Sequence, residues 1–103
     1  MPRVCFTFNV SVEHLDVYKT AHQNVWPEMR EALSAAGWSD YSLFLRESDG
    51  LIVGYLVTDD FEAAQARMSA TDVNTRWQQE MAKLAGGRPD DNFVVLEEVF
   101  HLE

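Results

Sequence analysis

Apolar residues recur in this chain with two periods, and the switches between them mark its elements. The run Val4-Cys-Phe-Thr-Phe-Asn-Val10 is rich in β-branched and aromatic residues and predicts a strand. Leu15, Tyr18, His22, Val25, Met29, Leu33 and Ala36 then recur in three- and four-residue steps. That spacing describes one face of a helix opening at Ser11 or Val12 and stopping at Gly37. Pro27 falls inside it and removes a backbone donor, which predicts a kink or a restart with Pro27 as first residue. A second strand is predicted over Trp38–Arg46, with Trp38, Asp40, Ser42 and Phe44 on one side and Ser39, Tyr41, Leu43 and Leu45 on the other. Asp49-Gly50 signals a hairpin into a third strand over Leu51–Thr58. Asp59 or Asp60 caps a helix reaching about Met68, and Ser69-Ala-Thr-Asp72 has the spacing of a capping box for a helix over Val73–Leu84. A loop at 86–92 leads to a last strand over Phe93–Leu102.

The order strand, helix, strand, strand, helix pair, strand is βαββαβ. It predicts a single α+β domain over 1–103 of ferredoxin-like type, an antiparallel four-stranded sheet with helices on one face. The second face of that sheet needs cover. In a chain of 103 residues a second copy is the simplest cover, so a homodimer with sheets packed together is expected.

Charge narrows the partners. Seventeen acidic residues against eight Lys and Arg give a formal net charge of −9. Phosphate backbones require clustered cations, so nucleic acid is not an expected partner, and anionic membrane surfaces would repel the chain. An uncharged small molecule fits better, unless Arg46 or Arg76 builds a local basic pocket. Cys5 is the one cysteine and is expected to be a buried, inert thiol. No apolar run approaches the roughly 18 to 20 residues of a membrane span, and no cleavable leader is recognisable. The chain reads as soluble and cytoplasmic.

The helical run at Tyr18, His22 and Trp26 concentrates the chemistry. Residues four apart share a helix face, so a phenol, an imidazole titrating near neutral pH and an indole form one stripe. A weak acid, a proton carrier and a flat apolar surface together suit a small polyhydroxylated molecule. Buried core aromatics with a histidine at their edge would produce the same pattern. Tyr41 and Trp77 read equally as core residues or as walls of a sugar pocket, since aromatic faces stack on the C–H face of a pyranose. His14 and His101 read as surface residues. Glu97 and Glu98 are adjacent on a strand, point to opposite faces and cannot flank one bond. No Cys, His and carboxylate cluster has metal-ligand spacing, and no glycine-rich phosphate loop is present.

Tyr18-x3-His22-x2-Val25-Trp26-Pro27-Glu28, Tyr41, Ser69-x-Thr71-Asp72-Val73 leading to Arg76-Trp77, and Glu97-Glu98-Val99-Phe100 together resemble the L-rhamnose mutarotase family across nearly the whole chain. The resemblance implies a dimeric α+β barrel that interconverts the α and β anomers of L-rhamnose without a cofactor. It implies His22 as catalytic proton donor, Tyr18 and Tyr41 contacting the sugar, and Trp77 on the pocket wall. The family often has a second tryptophan where this chain has Gln78, and some relatives have proline where it has Asn24. The Gln78 difference bears on which deoxy sugar fits, L-fucose being the alternative. Trp26 completes the expected substrate contacts. Mutarotation needs a proton given to the ring oxygen and another taken from the anomeric hydroxyl, and His22 with Tyr18 or a water supplies that pair. Two rivals remain on the residues alone: a monooxygenase on the same fold, and a binding module whose aromatic stripe is only core.

Overall fold

The computed structural model describes residues 2–103. Four strands, β1 (Arg3–Asn9), β2 (Ser39–Arg46), β3 (Leu51–Val57) and β4 (Val94–Leu96), form one sheet in the order β2-β3-β1-β4. Every neighbouring pair is antiparallel. Helices α1 (Leu15–Gln23), α2 (Pro27–Ala35), α3 (Phe61–Ser69) and α4 (Asp72–Ala85) complete the ferredoxin-like arrangement expected from the element order.

Strand register sorts the side chains into two faces. Leu43, Gly54, Phe6 and Val95 lie in one cross-strand row, and Leu45, Ile52 and Phe8 in the next. Phe6, Ile52 and Leu56 are fully buried on this inner face. Gly54 is what lets Phe6 lie flat there: a Cβ at Gly54 would come within 2.4 Å of the Phe6 ring. The intervening rows, Phe44, Val53, Thr7 and Val94, then Ser42, Tyr55, Cys5 and Leu96, point outward. Phe44, Val94 and Leu96 are exposed. Cys5, expected in the core, is half-buried on this outer face instead.

The helical face expected from Ser11 to Ala36, with a kink or restart at Pro27, is three pieces: a 3₁₀ turn at Val12–His14, then α1, then α2 starting at Pro27. Trp26 has extended backbone dihedrals, as a residue before proline prefers, so the helix restarts rather than kinks. The expected stripe of Tyr18, His22 and Trp26 therefore ends after His22.

The alternation expected along β2 also fails at its start. Trp38 is buried and its ring lies 4.9 Å from that of Tyr41, on the side where Tyr41, Leu43 and Leu45 point. The cause is a break in register between Ser39 and Ser42, with Asp40 at φ 49°. Such a bulge inserts an unpaired residue and flips the following side chains. Asp60 caps α3 by accepting from the Ala63 N–H at 3.1 Å, as one of the two expected caps. For α4 the cap is Thr71, whose hydroxyl accepts from Asn74 N–H at 3.3 Å, and not Ser69, the last residue of α3.

The last strand is three residues long rather than ten. Cys5 pairs with Leu96, so continuing the ladder puts Glu98 opposite Arg3, where the two side chains make an ion pair of 2.6 Å. There β1 ends, and the remaining chain has no strand of its own to pair with. Val99, Phe100 and Leu102 are 86, 78 and 80% exposed.

Candidate active site

Tyr18 and His22 stand one turn apart near the end of α1, with ring centroids 4.2 Å apart. His22 Nδ1 lies 2.9 Å from the Tyr18 carbonyl oxygen. A carbonyl can only accept, so Nδ1 carries the hydrogen and Nε2 of the neutral ring is the free base. The Trp77 ring from α4 meets the imidazole edge-on at 5.3 Å. One hydrogen bond and two aromatic contacts thus fix the orientation of the ring.

Burial lowers the His22 pKa below the ordinary imidazole value of 6.5, partly opposed by the bond to the Tyr18 carbonyl. At neutral pH this histidine is uncharged. Burial pushes the phenols of Tyr18 and Tyr41 well above their ordinary value, Tyr41 further because of Tyr18 beside it. Both phenols therefore stay protonated, each with an O–H to donate.

His22, Tyr41 and Trp77 border a cavity of about 120 Å³ beneath the helices. That is the scale of cavities that take up one six-membered ring, roughly 150 Å³. Val25, Met29, Leu33 and Leu43 supply apolar wall from α2, its approach and β2, while Asn74, Gln78 and Asp90 supply polar wall from α4 and the 3₁₀ turn Pro89–Asp91. Tyr18 borders a side chamber of about 40 Å³ shared with His22, Tyr41, Trp77 and Gln78. His22, Val25, Leu33 and Tyr41 also line a groove open to solvent between the α1–α2 junction and β2, which gives the cavity its mouth.

Five of the six expected site residues, Tyr18, His22, Tyr41, Trp77 and Gln78, converge on these connected spaces. Trp26 does not. Its ring packs edge-on against the far side of Trp77 at 5.0 Å, with the Arg76 guanidinium 5.9 Å from its centroid. It buttresses the wall instead of forming it. Arg76 in turn binds Glu28 at 2.9 Å and Asp72 at 3.4 Å, and Arg46 is bound to Asp49. Neither arginine builds a basic pocket.

Asn74 and Asp90 were not singled out by the sequence. Asn74 lies four residues before Gln78 on α4, a spacing that signals a shared face. Asp90 carries no such signal: it meets Gln78 only because the turn after α4 folds back, bringing the Asp90 N–H 3.3 Å from the Gln78 side-chain carbonyl.

Comparison with known proteins gives a consistent picture. A sequence model of the L-rhamnose mutarotase family matches residues 3–102. The chain is 38% identical to the L-rhamnose mutarotase of Bacillus subtilis (strain 168), over the full length of both. It is 37% identical to that of Burkholderia cenocepacia (strain HI2424), again over both full lengths. The crystal structure of an L-rhamnose mutarotase from Formosa agariphila covers all of this chain and is itself fully covered, at a TM-score of 0.83 and 26% identity. An antibiotic biosynthesis monooxygenase, at a TM-score of 0.63 and 20% identity over 96% of this chain and 99% of its own, shares the fold alone.

Proposed function

The chain belongs to the L-rhamnose mutarotase family, and from that premise we propose that the cavity beside His22 is where the sugar ring opens and recloses. Interconversion of the α and β anomers of L-rhamnose is the reaction of that family, an isomerisation. The observation that carries the assignment of the site is the His22 ring: neutral, its Nδ1–H held by the Tyr18 carbonyl, and its Nε2 left as base at the edge of a cavity of about 120 Å³ that opens into a solvent-facing groove.

In this reading Nε2 takes the proton of the anomeric hydroxyl as the bond from C1 to the ring oxygen breaks. The electrons of that bond leave on the ring oxygen, and the imidazolium returns the proton to it. Both oxygens are attached to C1, so one imidazole reaches both. The aldehyde rotates about C1–C2, and the same steps in reverse close the other anomer. Tyr18 and Tyr41, which stay protonated, donate hydrogen bonds to sugar oxygens as charge develops on them. Trp77 packs on the ring, and Trp26 keeps Trp77 in place. His22 is thus base first and proton donor second. Positioned proton transfer is worth about 10² to 10⁴-fold, enough for a reaction that proceeds unaided in water.

The protein works as a homodimer joined through the outer sheet face. Phe44, Val53, Tyr55, Val94 and Leu96 form a contiguous apolar surface there, and the segment after Glu98 has run past its own β1. A second copy covers the first and offers a strand edge to the other. No helix of the described residues is long and apolar enough to cross a membrane, and the cytoplasm is the compartment we assign.

The test is saturation transfer between the anomeric protons of L-rhamnose by NMR, repeated with L-fucose, with and without protein. L-Rhamnose exchange is expected to accelerate, and His22→Gln to remove most of the acceleration while leaving the dispersed amide spectrum unchanged. Unaltered exchange in His22→Gln would take His22 out of the mechanism, and preferential acceleration of L-fucose would transfer the same mechanism to that sugar.

A further inference from the structure

A closed ring of hydrogen bonds stands on the polar wall of the cavity. Asn74 and Gln78, 2 and 8% exposed, lie one turn apart on α4. Gln78 Nε2 donates to Asn74 Oδ1 at 3.2 Å, Asn74 Nδ2 donates to Asp90 Oδ2 at 3.1 Å, and the Asp90 N–H donates to Gln78 Oε1 at 3.3 Å. Arg88 grips the same carboxylate with two N–H groups, Nε to Oδ1 at 3.1 Å and Nη2 to Oδ2 at 2.9 Å. A fork held at both oxygens fixes the carboxylate plane, and the ring then fixes both amides, including which end is nitrogen.

The count of bonds matters. An amide has two N–H groups, and a carboxylate about four acceptor positions. Among the described residues, the ring and Arg88 use one N–H of each amide and three positions of the carboxylate. The rest is available to whatever occupies the cavity that all three side chains border. Two fixed donors beside a fixed acceptor match a sugar hydroxyl, which both accepts and donates.

We infer that Asn74, Gln78 and Asp90 form the hydroxyl-reading wall of the pocket, with Arg88 as the residue that positions Asp90. This rests on the mutarotase reading and deepens it. The anomeric carbon must lie at His22, so the hydroxyl read by the wall is one of those on C2, C3 or C4. The apolar wall of Val25, Met29, Leu33 and Leu43 receives the methyl group that distinguishes a 6-deoxy sugar. The pocket is sorted, polar on the α4 side and apolar on the α2 side, in the way such a sugar is sorted. A site built to bond a hydroxyl penalises an analogue lacking it, because its own polar groups are left unmet.

The experiment measures kcat and KM by anomeric saturation transfer for L-rhamnose and its 2-, 3- and 4-deoxy analogues, with the wild type, Gln78→Leu, Asp90→Asn and Arg88→Gln. The wild type is expected to lose about tenfold or more in kcat/KM on at least one analogue, chiefly through KM. Gln78→Leu and Asp90→Asn should lose a similar factor on L-rhamnose and show no further loss on that same analogue; Arg88→Gln should shift in the same direction by less. Should Gln78→Leu not fold, Gln78→Glu carries the comparison, since it keeps the shape and turns a donor into an acceptor. Variants that weaken all four sugars by one common factor would reduce the network to scaffold and overturn the inference, as would variants that leave the wild-type discrimination intact. A folded wild type that accelerates no sugar would sink the reaction itself, a different failure recognisable before any variant is made.

Discussion

At His22 the state of the ring follows from one neighbour and from burial. The Tyr18 carbonyl fixes the tautomer, and burial disfavours the charged ring. Two pH effects follow, with the same sign. In the proposed mechanism activity needs the neutral base, so the acidic limb of kcat/KM is expected to lie below the ordinary imidazole value of about 6.5. In the unfolded chain His22 protonates near that value while the folded site resists it. The unfolded state therefore binds more protons as pH falls through this range, and stability declines with it. Following saturation transfer from pH 4.5 to 8 checks the first effect; an acidic limb above 6.5 would contradict the burial of the ring. Denaturant titrations of wild type and His22→Gln over the same range check the second, the decline being shallower in the variant. That Tyr18, His22, Tyr41, Trp77 and Gln78 gather around one cavity was legible because helix spacing and the resemblance named them. Trp26 was misread because spacing assumes an unbroken helix, and Pro27 breaks it. Asp90 was invisible because nothing local marks a loop residue whose role depends on where the loop returns.

At the scale of elements, the chain declared its strands and helices through periodicity and misled where geometry departs from ideal. The β2 bulge at Asp40 puts Trp38 on the same side as Tyr41, and no alternation rule reads an inserted residue. The close approach at Gly54 is another local exception, with Phe6 also stacked on Phe93 at 4.0 Å between centroids. The ring cannot retreat, being fully buried. Gly54→Ala is expected to cost about 1–3 kcal/mol as an overpacked core does, read as a lowered denaturation midpoint at unchanged m-value. A midpoint equal to wild type would mean that the Phe6 stack yields freely. The short β4 stops at Leu96, opposite Cys5, two residues before β1 runs out at Arg3; from residue 99 onward the chain has no remaining β1 residue to pair with, which composition alone does not reveal.

For the molecule as a whole, that orphaned segment and the outer sheet face call for the same remedy, a second copy. Deleting residues 99–103 together with Phe44→Arg is expected to shift the particle mass measured by light scattering from twice the chain mass to one chain. A monomeric wild type would remove the dimer, and a variant still dimeric would move the interface elsewhere. His22, Tyr41, Trp77 and Gln78 of one chain already border the cavity, and anomer exchange by the monomeric variant measures how much of the activity that set supplies without the partner.

The three tryptophans of the chain all gather at this pocket: Trp77 and Trp38 on its wall, Trp26 one contact behind. Mutarotation at equilibrium changes no concentration and leaves an ordinary assay nothing to follow. Indole emission, however, responds to the water around the ring, and a sugar entering the cavity displaces that water. The protein thus carries its own optical gauge of occupancy, able to report binding while the chemistry it performs stays silent.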